Sequence, residues 1–286
     1  MSSSQKLYSE ILSGIHSNES NLKNEYIKLF EENKLMKDSF VYASVLQKGI
    51  LAKQRHFERV FSDSFILYKP LHYISGDFYW LSKNENFIYF AAADSTGHGV
   101  PGAMLSMLGH GLLNYAILDK GLKKSNQILK EMDKRLIESF SFENNNLVVN
   151  NDWIDIALCV YDEKSQILSF SGARRDLLLI RNNKLFHYKG VRYPIGGWQL
   201  ESNRSFKVHK IKIVKGDKVY LGSDGYQDQF GGEQNRKFGS KNLHNLLFSI
   251  HHKTMSEQKQ ILDETLNLWK QNHEQTDDIC LMGVQL

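Results

Sequence analysis

Seven short apolar runs constrain the fold of this chain more than any other feature. They are SFILYK (64–69), NFIYFAAAD (86–94), IDIALCVYD (154–162), ILSFSG (167–172), DLLLIR (176–181), KVYLGSD (218–224) and ICLMGVQ (279–285). Each has the length of a β-strand. Many are apolar at consecutive positions, as expected of strands covered on both faces. Helical stretches lie between them. Pro101 suits the first turn of a helix running to about Leu118, where Gly102, Ala103, Ser106 and Gly109 permit close packing. Another helix is expected over about 125–140. Two more follow Ser240 and Ser256, which suit N-cap positions. RNNK (181–184) and the Gly196-Gly197 pair are turn signals for antiparallel hairpins. Hairpin-linked strands flanked by helices predict α+β layers rather than a doubly wound sheet.

The composition changes near residue 60. The preceding stretch is charged, contains no proline and reads as one long helix. Leu22, Tyr26, Leu29, Met36, Phe40, Ala43 and Ile50 recur with the alternating three-and-four spacing of a coiled-coil seam. Asn33 falls in the series, where a polar residue sets register, and Ile11 and Ile15 extend it. The chain therefore divides into a helical regulatory or dimerisation segment, 1–60, and a folded domain, 61–286. A homodimer through the helix is expected. The competing reading packs the helix on its own domain.

The bulk properties exclude several classes. A net charge of +4 spread over 286 residues lacks the concentrated basic face of a nucleic-acid binder. No window approaches ~18 consecutive apolar residues, so no membrane span is expected. MSSSQKLYSE does not read as a signal peptide. Cys159 and Cys280 each sit in an apolar strand and read as reduced buried thiols. Together these features predict a cytoplasmic protein.

Four acidic positions share one local pattern. Asp77 lies in SGDFYW; Asp94 ends an apolar run and opens STGHGVPG; Asp224 ends KVYLGSD and precedes Gly225; Asp277 and Asp278 precede the last strand. A lone aspartate of this kind is ordinarily a turn former or cap. Several strand ends that converge make an all-oxygen site, which suits Mg²⁺ or Mn²⁺ rather than zinc. Two such ions about 3.5–4 Å apart share a carboxylate and lower the pKa of a water, so hydrolysis needs no covalent nucleophile.

SGDFYW, ADSTGHGVPGAMLSMLG, GSDGYQDQFGG and QTDDI, in this order, resemble the SpoIIE-type branch of the metal-dependent (PPM) protein serine/threonine phosphatases. DIALCVYD, SGARRDLLLIR and YPIGG match more weakly in the intervals. The resemblance spans about Ser64 to Leu286. It implies an αββα sandwich, two antiparallel sheets flanked by helices. It implies that Asp77 binds one ion, that Asp94 bridges both, that Ser95 offers its backbone carbonyl, and that Asp224 and Asp277 complete the second ion. Asp278, Gly225 and Cys280 stand beside this set as supporting or third-ion positions. The implied reaction is hydrolysis of phosphoserine or phosphothreonine on a bacterial signalling partner, of the kind that includes anti-sigma-factor antagonists.

The chain departs from the family pattern in three places. Cys280 replaces a threonine, a better hydrogen-bond partner. Arg174, Arg175 and Asp176 stand where relatives often carry Asn-Asn-Pro; the arginines are candidates to bind the phosphoryl group, and the plainer reading is a solvated hairpin tip. His98 lies two residues farther from Asp94 than the general acid of the eukaryotic branch, and either protonates a leaving group or orders its loop. Asp228 is read as loop structure, and Asp152 and Asp155 are given no role. The alternative function is a catalytically weak module that acts by partner binding through its coiled coil.

Overall fold

Strand alternation assigns the side chains of this protein to three separate cores. The computed structural model describes the backbone of residues 3–140, 151–197 and 204–286, and the side chains from residue 22 onward. The chain divides into two compact units, Met1–Leu46 and Gln47–Leu286. The first consists of helix α1 (Ser3–Ile50) up to the boundary. Leu22, Tyr26, Leu29 and Met36 of the seam are exposed. The extension through Ile11 and Ile15 lies outside the described side chains.

In the second unit, a short helix α2 (Gln54–Glu58) leads into two antiparallel sheets. One has the order β1 (Asp63–Lys69), β13 (Ile279–Gln285), β10 (Lys218–Gly222), β6 (Leu177–Arg181), β7 (Lys184–Tyr188). The other has the order β2 (Phe78–Asn84), β3 (Phe87–Ser95), β4 (Trp153–Asp162), β5 (Ile167–Ala173), β9 (His209–Lys212), with β8 (Ile195–Gly196) added on β4. A small pair, β11 (Phe230–Gly231) and β12 (Arg236–Lys237), stands apart, after the single-turn helix α5 (Gly225–Asp228). Successive residues of a strand face opposite sides. On β3, Ile88, Phe90 and Ala92 enter the core between the sheets, where Leu177, Leu179, Val219, Leu221, Met282 and Val284 of the other sheet meet them. Tyr89, Ala91 and Ala93 face outward into a second core. That core is completed by Leu105, Leu112 and Leu113 of α3 (Gly99–Asn114) and by Ile128, Leu129 and Met132 of α4 (Ser125–Phe140). On the opposite face, Leu243 and Leu247 of α6 (Ser240–Ile250) and Leu262 and Leu266 of α7 (Met255–Lys270) cover β1, β10 and β13. This is the expected αββα sandwich, and it explains the consecutive apolar positions of the strands. Each fully buried Leu or Ile contributes roughly 1.5–3 kcal/mol.

Local details agree with the sequence in part. Asn182 and Asn183 both have positive φ, 47° and 55°, and close the β6–β7 hairpin as a turn matched to strand twist. The helix begun at Pro101 starts two residues earlier and passes into a π-helical turn over Tyr115–Asp119. Ser240 and Ser256 are not N-caps. Gly239 caps α6, and Thr254 caps α7 because its hydroxyl accepts from the Glu257 amide while the Glu257 carboxylate accepts from the Thr254 amide at 2.9 Å. The Gly196-Gly197 pair does not link paired neighbours: β8 pairs with β4, and the next strand, β9, pairs with β5. Among the described residues, no helix is long and apolar enough to cross a membrane.

Candidate metal centre

The same alternation that builds the inter-sheet core delivers charged groups to one end of it. Ala92 faces between the sheets, so Asp94 faces the same way at the end of β3. Asp155 is in phase with Ala157 and Cys159 on β4, and the β3–β4 register sets it directly opposite Asp94. Arg175 is in phase with Leu177 and Leu179, Asp278 with Cys280 and Met282, and Ser223 with Val219 and Leu221. Apolar neighbours thus aim polar side chains at a common point where the strands stop.

The Arg175 guanidinium lies at that point. Its Nη2 donates to Asp94 Oδ2, to Asp224 Oδ2 at 2.8 Å and to Asp155 Oδ2 at 3.4 Å. Arg174 approaches Asp155 from outside at 3.6 Å. Asp77 is almost completely buried, at 1% exposure. Its loop is pinned from several sides. Asp278 accepts from the Leu71 amide with one oxygen and from the Gly76 amide with the other, both at 2.7 Å. The Ser75 hydroxyl accepts from the Asp77 amide at 3.0 Å. Gln47, buried, takes the Ser75 amide on its Oε1 at 3.0 Å and donates Nε2 to the Ser75 carbonyl at 2.6 Å. A Cβ on Gly76 would stand 3.0 Å from the Ser95 carbonyl oxygen, so only glycine lets these two loops meet.

The other residues singled out in the sequence fall in several places. Ser95 is buried at the end of β3, and its amide donates to the Gly76 carbonyl at 3.3 Å. Asp277 accepts from the Asp278 amide at 2.8 Å and stands in the electrostatic field of Asp224 and Arg175. Gly225 packs its backbone on the Asp278 carbonyl. Cys280 turns its thiol into the inter-sheet core, while its amide and carbonyl bond reciprocally with Ser223 at 3.0 and 2.8 Å. His98 is exposed before α3, with its ring edge-on to His72 at 5.8 Å. Asp228 pairs with Lys237 at 2.7 Å. The solvated-tip reading of the arginines fails at Arg175, which is 8% exposed. Asp155, which sequence reasoning passed over, carried one usable signal: it is in phase with the inward residues of β4.

Electrostatics follow from crowding carboxylates in a dry place. Burial raises the Asp77 carboxyl well above the ordinary range, and the nearby Asp94 raises it further. Burial also pushes Asp94 up, to about 8, against the opposing pull of Arg175. Asp155 is raised to about 6 by burial, again against Arg175. Burial raises Asp277 as well. At Asp224 burial acts upward, but the Arg175 contact, with hydrogen bonds to Asp94 and the backbone, holds the carboxyl below the ordinary range. Strong perturbations grouped at a cleft are a mark of functional sites.

These groups suit a hard cation. Asp77 Oδ2 and Asp155 Oδ1 are buried oxygens with no hydrogen-bond partner, and a bound cation would satisfy both. The donor set is oxygen throughout, as Mg²⁺ and Mn²⁺ prefer. Among the described residues, no three His, Cys, Asp or Glu side chains are drawn together around one ion position. A guanidinium stands among them instead.

The family described as Stage II sporulation protein E (SpoIIE) matches residues 84–286, well over half the chain. Asp77 lies just outside that stretch. The SiaA-PP2C domain of Pseudomonas aeruginosa is 29% identical, with a TM-score of 0.80 over 89% of this chain and 98% of that one. The PP2C phosphatase domain of SpoIIE from Bacillus subtilis, solved with a regulatory fragment, is 16% identical, with a TM-score of 0.63 over 78% of this chain and 63% of that one. RsbX in complex with magnesium is 13% identical, with a TM-score of 0.53 over 78% of this chain and 93% of that one. No curated protein sequence matches. With two antiparallel sheets between helix pairs and an acidic end to the sandwich, the chain belongs to the SpoIIE family of PP2C-type phosphatase domains.

Proposed function

We propose that this protein is a metal-dependent serine/threonine phosphatase acting on a phosphorylated signalling protein in the bacterial cytoplasm. The observation that carries the reading is the convergence of buried carboxylates at one end of the sandwich, two with oxygens that have no protein partner. Asp77, Asp94, the Ser95 carbonyl, Asp224 and Asp277 would hold two Mn²⁺ or Mg²⁺ ions, with Asp94 shared. Bound ions would supply acidified water and neutralise charge on the phosphoryl group. Asp278 positions the Asp77 loop through two backbone amides and is a supporting group rather than a ligand. Arg174, half in solvent at the rim, is suited to meet the anionic phosphoryl group. The substrate class proposed is a small partner-switching protein of the anti-sigma-factor antagonist kind.

The direct test is phosphate release from a phosphoserine peptide. Release is expected with Mn²⁺ or Mg²⁺ and none with a chelator, and release undiminished by the chelator would sink the reading. A second reading, a partner-binding module of weak turnover, is favoured by the position of Arg175 among the carboxylates. Failure to take up Mn²⁺ at millimolar concentration would select it.

The helical segment is proposed to dimerise the protein. Its seam residues Leu22, Tyr26, Leu29 and Met36 follow coiled-coil spacing and are 65%, 70%, 52% and 58% exposed, a stripe that a second copy would cover. Sedimentation of the full chain should give a dimer, and Leu29→Glu with Met36→Glu should give a monomer. A wild-type monomer at micromolar concentration would end the idea.

A further inference from the structure

We propose that Arg175 is a resident counter-cation of the acidic centre, competing with divalent ions for Asp94 and Asp224 and withdrawing when they bind. The proposal rests on reading the centre as a metal site. Its first support is position. One nitrogen, Nη2, serves carboxylates from three strand ends, including two of the proposed ion ligands, Asp94 and Asp224. An ion between Asp94 and Asp224 needs the same oxygens.

The second support is the incompleteness of the arginine's own bonding. An arginine retained for structure normally spreads its fork over carboxylate pairs or backbone carbonyls. Here Nε is buried without a partner. A buried charge held from one end is a placeholder rather than a bidentate clasp, and a doubly charged ion satisfies the same carboxylates better.

The third support is that the backbone is shaped to aim this side chain. Arg174 takes a left-handed conformation, φ 55°, which is costly for a residue with a side chain. Gly172 and Gly190 make room for the Arg175 carbonyl: a Cβ at either would stand 2.0 or 2.4 Å from it. The insertion is therefore built in, not the stray reach of a long side chain. Room for withdrawal exists as well. A cavity of about 280 Å³ adjoins the centre, lined by Arg175 itself with Gln227, Ser240 and His244.

The test is ion binding by the full chain, independent of turnover. Free Mn²⁺ measured by electron paramagnetic resonance should show Arg175→Gln binding roughly tenfold or more tightly than wild type, the worth of about one close charge contact in a partly buried site. Equal or weaker binding overturns this proposal and leaves the metal reading standing. No binding by either protein overturns both. Should the variant fail to fold, wild type decides: the Arg175 Nε–H resonance should be protected from exchange in the metal-free protein and lose protection as Mg²⁺ is added. A resonance unchanged while Mg²⁺ binds overturns the proposal.

Discussion

Asp77→Asn is expected to lower metal-dependent hydrolysis by at least about 100-fold, the upper cost of losing a group that merely supports a ligand. It is also expected to raise the melting temperature of the metal-free protein. The two effects have one cause. Asp77 is held dry, its Oδ2 has no partner, and Asp94 stands nearby. A carboxyl whose native value is raised binds its proton more tightly folded than unfolded. Its ionised form therefore opposes folding at neutral pH. The penalty is absent below the unfolded value of about 4 and grows as pH rises towards the native value. Asparagine keeps the shape and removes the charge. The gain should be about 2–4 °C for each kcal/mol recovered. Melts with chelator at pH 7.5 and at pH 4 test this, since the advantage should shrink at the lower pH. An asparagine variant that melts below wild type at pH 7.5 would remove the desolvation argument. Full activity in Asp77→Asn, or in Asp94→Asn, would remove the catalytic one.

Gly225→Ala is expected to be the most destabilising single methyl in the centre. A Cβ there would stand 1.9 Å from the Asp278 carbonyl oxygen. That atom belongs to the backbone entering β13, so no flexible side chain can yield. Overpacking of this kind costs about 1–3 kcal/mol, and a backbone collision lies at the upper end. The melting temperature should fall by about 5–10 °C. Metal affinity should fall with it, because the contact separates Asp224 from Asp278. Gly111→Ala is the control. Nothing lies within 4 Å of a Cβ there, and the site is inside α3. Alanine is the better helix former by about 1 kcal/mol, so this variant should hold or gain stability. Equal melting of the two variants would mean that the Gly225 contact yields without cost.

Much of this protein is legible in its sequence. Apolar runs at consecutive positions required sheets covered on both sides, and the sandwich is the result. The aspartates that close β3 and follow β10 stood out because each ends such a run and meets glycine or serine. What escaped was whatever depended on distant partners. Asp155 looked like an ordinary acid early in a strand. Its importance comes from the β3–β4 register, which sets it opposite Asp94 across a sequence gap that no periodicity bridges. The caps of α6 and α7 were misplaced by one and two residues because glycine and threonine competed with nearby serines, and only backbone geometry separates them.

Layering, the β6–β7 hairpin and the acidic character of the centre can all be read from the sequence, since these follow from alternation, turn chemistry and residue type within single segments. Which charges meet depends on packing between distant segments. Arg175 belongs to a segment that reads equally well as a solvated tip. A left-handed residue and two glycines turn it inward, where three carboxylates from other strands surround it. Local preference sets the direction of a side chain, but the groups waiting there are set by the packing of the whole domain.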